Sequence, residues 1–289
     1  MNGLKMRTAK AIRRFALILA LITTSAYINA QNIIYEKEDS IFIENINRKH
    51  PAGFYDTTGE RIIAIAKEFV GNDYVPGTLD RYDNEPLYLS CSELDCTTFV
   101  ELIVAMATCN SNDFTGTCNT LEQIRYRNGI RNGYTSRLHY ISWWITDSAK
   151  HNKICEIETP WHTATQQLDL NFMSTHTESY RHLKENNQYI QEITTLEKPY
   201  RGINVKYIPK SNIKGTSEKD IKNGDIIAIV TAIEGLDVTH MGFAYWNNNE
   251  LHMIHASSAA GKVINDAASL NKHLAKNKNN LGIRVFRAL

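Results

Sequence analysis

The strongest apolar run in the chain comes first. Residues 15–22 read Phe-Ala-Leu-Ile-Leu-Ala-Leu-Ile, preceded by Lys5, Arg7, Lys10, Arg13 and Arg14 and followed by small and polar residues up to Ala30-Gln31. A basic start, a short apolar stretch and a small-residue end make a secretory signal peptide, with the cut expected after Ala30. The run is too short for a bilayer span, which needs about 20 apolar residues. No cysteine stands at the cut, so no lipid attachment is expected there. Residues 1–30 are therefore read as a leader and residues 31–289 as one domain, secreted across the inner membrane to the periplasm without a stable membrane anchor.

Beyond the leader the periodicity changes along the chain. Residues 37–50 and 58–70 alternate at helical spacing, the second with Ile62, Ile63, Ile65, Ala66, Phe69 and Val70 on a broad apolar stripe. Residues 71–80 carry turn chemistry. Asp95 stands as an N-cap before a helix over 96–108, in which Phe99, Val100, Ile103, Met106 and Ala107 recur. A further helix is expected over 119–128. Residues 129–215 show aromatic clusters without a clear period. Alternating apolar strands then follow at 225–230, 240–246, 251–255, 262–264 and 282–287. Helices first and an antiparallel sheet afterwards predict an α+β fold.

Charge adds little. The leader holds five basic and no acidic residues, so the net charge of +1 for the 289-residue chain becomes about −4 after cleavage. That balance gives no reason to expect nucleic acid as a partner. The five cysteines, Cys91, Cys96, Cys109, Cys118 and Cys155, are an odd number, so an oxidising compartment leaves at least one thiol unpaired. Cys91, Cys109, Cys118 and Cys155 can form two bridges in three ways or remain reduced, with Cys109 and Cys118 the easiest pair. None of the spacings is that of a zinc ribbon or a redox Cys-x-x-Cys.

Cys96 falls at a helix start, where unpaired N–H groups and the dipole favour a thiolate and can also bind an oxyanion. Downstream, Thr239-His240-Met241-Gly242-Phe243 and Met253-Ile254-His255-Ala256-Ser257 flank the turn signal Asn247-Asn248-Asn249-Glu250. Side chains alternate along strands, so a two-residue loop puts His240 and His255 on one face. If the loop is Asn247-Asn248 they are opposite; if it is Asn248-Asn249 they are diagonal neighbours. A three-residue loop separates them. His240 is then the candidate base for Cys96 and His255 the group that fixes its tautomer. His252 has the wrong parity and is read as a surface or edge residue. No metal or cofactor is expected, a zinc site from His240, His252 and His255 being the lesser alternative.

These segments carry a resemblance. Asp95-Cys96-Thr97-Thr98-Phe99-Val100 resembles the nucleophile motif Asp-Cys-Ser-Gly-Phe-Val of the NlpC-type papain-like cell-wall hydrolases, and His240-Met241-Gly242-Phe243-Ala244-Tyr245 resembles their histidine strand. Ile254-His255-Ala256-Ser257 is similar to their third catalytic segment. Tyr74-Val75-Pro76-Gly77-Thr78-Leu79-Asp80 and Ser136-Arg137-Leu138-His139-Tyr140 narrow the resemblance to the N-acetylmuramoyl-L-alanine amidase-like branch, over about residues 58–289.

The resemblance implies a papain-like α+β fold with the nucleophile at a helix start, catalytic residues Cys96, His240 and His255, and peptidoglycan fragments as substrate. The bond implied is the amide between N-acetylmuramic acid and L-alanine, in anhydro-muropeptides. A D-glutamyl–diaminopimelate endopeptidase and a non-catalytic muropeptide-binding protein are the alternatives. The resemblance also implies that Tyr74 lines the site. The separation of Cys96 from His240 departs from compact members and points to an insertion over about 129–215. Within it Arg137 is expected to clamp a carboxylate, and His139, Tyr140 and Trp143 to meet a sugar ring. Ser257, beside His255, is the remaining candidate for substrate contact.

Overall fold

A computed structural model describes residues 32–213 and 220–289, so the expected leader lies outside the described residues. Helices α1 (Lys37–Lys49) and α2 (Thr58–Glu68) form where their periodicity predicts. The Thr57 side chain accepts from the Glu60 N–H and starts α2. Helix α3 (Cys96–Thr108) also begins as expected, with Asp95 and Thr98 bonding reciprocally. Residues 98–107 of α3 are buried all round, so α3 is a central helix rather than one with a single inward stripe. Phe99 lies edge-on between Phe69 of the segment after α2 and Phe243 of the sheet.

Helix α4 (Phe114–Arg125) starts five residues before the expected 119–128 and ends three earlier. The reason is Asp113, whose carboxylate accepts from the Gly116 N–H at 2.6 Å and nucleates the first turn. Among the described residues none of the five cysteines is bonded to another. In place of a bridge to Cys118, the Cys109 thiol lies against the Ser111 carbonyl at 3.0 Å.

Short strands β1 (Ile33–Ile34) and β3 (Leu87–Tyr88) pair in parallel. The other described strands make one large sheet, mostly antiparallel. They are β2 (Asp73–Tyr74), β4 (Glu93–Leu94), β5 (Ile154–Glu156), β6 (Ala164–Asp169), β7 (Arg201–Pro209), β8 (Ile226–Thr231), β9 (Val238–Asn247), β10 (Glu250–Ser257), β11 (Lys262–Asn265) and β12 (Asn280–Ala288). The order is β4-β2-β11-β10-β9-β8-β12-β7-β6, with β5 also on β12. One pair, β2–β4, departs from the antiparallel expectation.

The expected insertion is not merely appended. It supplies β5, β6 and β7 to the sheet and also holds α5 (Ile141–Lys150), the single turn α6 (Phe172–Thr175) and α7 (Asn187–Glu197). Strand β8 is buried at every position, which its unbroken Ile-Ile-Ala-Ile-Val run requires. Ile226 and Ala228 join the core with α3, whereas Ile227 and Ile229 join a second core with Leu270 and Leu274 of α8 (Leu270–Ala275). Among the described residues no helix is long and apolar enough to cross a membrane.

Candidate active site

The Asp95–Thr98 capping box fixes Cys96 at the first position of α3. The Thr98 N–H donates to Asp95 Oδ1 at 2.8 Å, and the Asp95 N–H donates to Thr98 Oγ1 at 2.9 Å. Cys96 is partly exposed and lines a cavity of about 160 Å³ together with His240.

The hairpin meets the register condition. Asn247 pairs with Glu250, leaving Asn248-Asn249 as a two-residue loop with φ of 49° and 64° at its two positions. Two successive left-handed residues are the signature of a type I′ turn, for which asparagine is well suited. His240 and His255 are thus diagonal neighbours on one face, and His240 Nε2 lies 2.7 Å from His255 Nδ1. Two local features allow this contact. A bulge between β8 and β9 falls at Thr239, where Ile229 pairs with His240 and Val230 with Val238. Such a bulge re-aims the next side chain. Gly242 stands opposite His255, and a Cβ there would come within 2.7 Å of the His255 Cβ.

Burial governs the protonation of these groups. It pushes the Cys96 thiol up to about 12, with the Asp95 carboxylate acting in the same direction. N–H groups of Met241 and Cys96 and the Thr97 hydroxyl oppose that rise without cancelling it. Burial brings His240 down to about 3, aided by His255 and His273, and His255 down to about 4. The resting pair is therefore a neutral thiol and a neutral imidazole; desolvation outweighs the helix-start effect expected to favour a thiolate.

Two residues near this pair carried no signal in the sequence. His255 Nε2 lies 3.7 Å from Asp266 Oδ2, and that oxygen accepts from His273 Nδ1 at 2.7 Å. Asp266 and His273 lie in a loop and a short helix whose chemistry no motif marks. His252, expected at the surface, is buried instead, because its Nδ1 bonds the Asp266 carbonyl at 3.0 Å.

Residues 129–215 form much of the cavity wall. Leu138, His139, Tyr140, Ile141 and Trp144 line it, with Met173 and Tyr180 from further along. His139 is held by the Tyr134 carbonyl at 2.9 Å, and burial depresses its pKa strongly. The Tyr140 hydroxyl donates to Glu197 at 2.8 Å. Asp237, unnoticed in the sequence, accepts from the Ser142 N–H at 2.6 Å and from the Val238 N–H at 2.8 Å. It joins the start of α5, where an anion is favoured, to the approach to β9.

Two residues expected at the substrate, Arg137 and Trp143, are not among those that line this cavity. Arg137 is no free carboxylate clamp: it is 6 % exposed, bonds Asp80 at 2.6 Å and lies 3.3 Å from Glu85. A cation this deep requires internal anions. Trp143 is fully buried under the Arg127 guanidinium and against Tyr140, and Trp144 occupies the cavity wall in its place. Tyr74 flanks the site from β2, beside the strand that leads into α3, and burial pushes its hydroxyl up to about 12. Ser257 lines a second hollow, with His255 and His273, and its hydroxyl accepts from the Ala260 N–H at 3.2 Å.

A profile of the AmiA-like, N-acetylmuramoyl-L-alanine amidase-like family matches residues 64–283. The chain belongs to this family. An N-acetylmuramoyl-L-alanine amidase from Bacteroides uniformis ATCC 8492 has a similar structure, with 34 % identity and a TM-score of 0.78 over 80 % of this chain and 99 % of that one. A Bacteroides fragilis protein provisionally named a xylanase is 41 % identical, with a TM-score of 0.74 over 77 % of this chain and 98 % of its own. A Legionella pneumophila protein at 23 % identity shares the fold, with a TM-score of 0.64 over 86 % of this chain and 97 % of its own. A comparison with curated protein sequences gives no match. Family and neighbours together support an amidase-type peptidoglycan hydrolase.

Proposed function

We propose that this protein is an exported cysteine amidase of the NlpC-type papain-like superfamily. It acts in the periplasm and hydrolyses the amide between N-acetylmuramic acid and L-alanine in peptidoglycan fragments, with anhydro-muropeptides as substrates. The observation that carries the reading is the juxtaposition in one cavity of a helix-start thiol and an imidazole hydrogen-bonded to a second imidazole.

Chemistry follows from the neutral resting pair. His240 keeps its proton on Nε2, donating to His255 Nδ1, and so offers its other nitrogen to the thiol. As Cys96 sulfur attacks the muramyl carbonyl carbon, its proton passes to His240, and the Cys96 N–H at the helix start can receive the developing oxyanion. Collapse breaks the C–N bond. The imidazolium protonates the departing alanine nitrogen, leaving a thioester. His240 then takes a proton from water, which attacks the thioester and releases the lactyl carboxylate and the thiol.

The xylanase name of one neighbour fits this cavity poorly. Most glycoside hydrolases use two available carboxyl groups. The cavity carboxylates are Glu101, paired with Arg125 at 2.6 Å, and Asp237, bonded to two backbone N–H groups.

Mass spectrometry of products from a defined anhydro-disaccharide tetrapeptide tests the reading. Release of an intact peptide beginning with L-alanine, abolished in Cys96→Ala, is expected. A fragment beginning with diaminopimelate indicates the endopeptidase instead. Unchanged turnover by Cys96→Ala overturns the mechanism, whereas retained binding without turnover by the unaltered chain indicates a muropeptide-binding protein.

A further inference from the structure

His255 has one nitrogen that the proposed mechanism leaves unexplained. Its Nδ1 bonds His240, but its Nε2 has no hydrogen-bond partner, although the residue is only 2 % exposed. A buried polar atom without a partner is costly, because it has lost its water and gained nothing in return. The nearest carboxylate oxygen, Asp266 Oδ2, is 3.7 Å away, beyond hydrogen-bond reach. His273 Nδ1 lies 2.7 Å from the same oxygen, and the three donor atoms of His255, Asp266 and His273 all lie within 4.8 Å of one another.

Two imidazoles and a carboxylate form a donor set suited to zinc, which accepts three protein ligands at about 2.0 to 2.2 Å and a water in the fourth position. Such bonds put tetrahedral ligand atoms about 3.4 Å apart, against 3.7 Å and 2.7 Å for the two edges that meet at Asp266, and closing the triangle requires His273 to exchange its hydrogen bond to Asp266 for a bond to metal. The second hollow gives access, since His255 and His273 both line it beside Asn277 and Asn280. One group opposes a cation: the Lys276 ammonium, 4.0 Å from Asp266 Oδ2.

We propose that His255, Asp266 and His273 form a zinc site whose occupation switches off the adjacent Cys96–His240 pair. The switch rests on the mechanism above and on tautomer arithmetic. A neutral imidazole carries one proton, so metal on His255 Nε2 places that proton on Nδ1. His255 then donates to His240 Nε2, and His240 must carry its own proton on the nitrogen that faces the thiol. The two rings hold two protons before and after, but the base has lost its lone pair for Cys96. Zinc thus silences the pair without touching the sulfur.

Calorimetric titration of the mature chain bearing Cys96→Ala with zinc chloride tests the site without relying on activity or on the thiol. One zinc per chain is expected. Adding His273→Ala should weaken binding at least about tenfold, and Lys276→Met, which removes the opposing charge, should tighten it, with circular dichroism checking that each variant folds. Absence of binding by Cys96→Ala, or affinity unaffected by His273→Ala, overturns the site. On muropeptide substrate, zinc should inhibit the unaltered chain and a chelator restore it, while His273→Ala resists zinc relative to its own metal-free rate. Equal inhibition of both overturns the switch. Zinc binding by Cys96→Ala with no turnover by the unaltered chain overturns the amidase reading and leaves the metal site standing.

Discussion

Gly242 determines where the His255 ring can lie. Any Cβ at this position meets the His255 Cβ, the Met253 side chain and the Ile254 carbonyl within 2.8 Å. Gly242→Ala is expected to displace His255 and lower kcat by about 10²-fold, the scale of a misplacement near 1 Å, with the far-ultraviolet circular dichroism unchanged. Steady-state kinetics decide it. Protonation gives a second prediction at this scale. His240 and His255 titrate at about 3 and about 4 in the folded protein against 6.5 when unperturbed. Below pH 6.5 the unfolded chain therefore takes up protons that the folded chain refuses, and stability falls as pH drops from about 6.5 towards 3. Thermal melts across that window should show the decline, and His240→Gln should flatten it. Cys96, His240 and His255 were legible in the sequence because each sits in a local pattern, a capped helix start or an alternating strand. Asp266, His273 and Asp237 were not, since their roles depend on partners brought together only by the fold.

Among the elements, α3 owes its position to contacts on every side, and a buried ion pair joins it to α4. Arg125 Nε lies 2.6 Å from Glu101, and its Nη1 donates to the Tyr88 carbonyl at 2.6 Å. Removing one partner strands the other charge, so Arg125→Met should cost about 3 to 5 kcal/mol in urea unfolding. The β9–β10 hairpin was readable down to its two candidate loops, because asparagine tolerates the left-handed turn and parity did the rest. The surroundings of Arg137 were not legible, for a physical reason. Its partners Asp80 and Glu85 lie more than fifty positions away, and a cation in a motif looks the same whether it faces a ligand or an internal anion.

For the molecule as a whole, the informative stretch is residues 129–215. Strands β6 and β7 extend the sheet, while α5 and the segment bearing Met173 and Tyr180 wall the cavity beside Cys96. None of that pairing could be read from residues 129–215, where short strands and helical turns alternate too quickly for a period to emerge. The α+β class was legible, but the size of the sheet was not. If the wall selects substrate, Tyr180→Ala should raise KM several-fold, with kcat and the melting temperature changed far less, measured on the same muropeptide.

The two-residue turn at Asn248-Asn249 also limits how this gene can vary. Deleting or inserting one codon between His240 and His255 would turn one imidazole to the opposite face of the sheet, while a paired change would keep both rings together. Across relatives, length changes in this hairpin should therefore come in twos, or be accompanied by a new bulge.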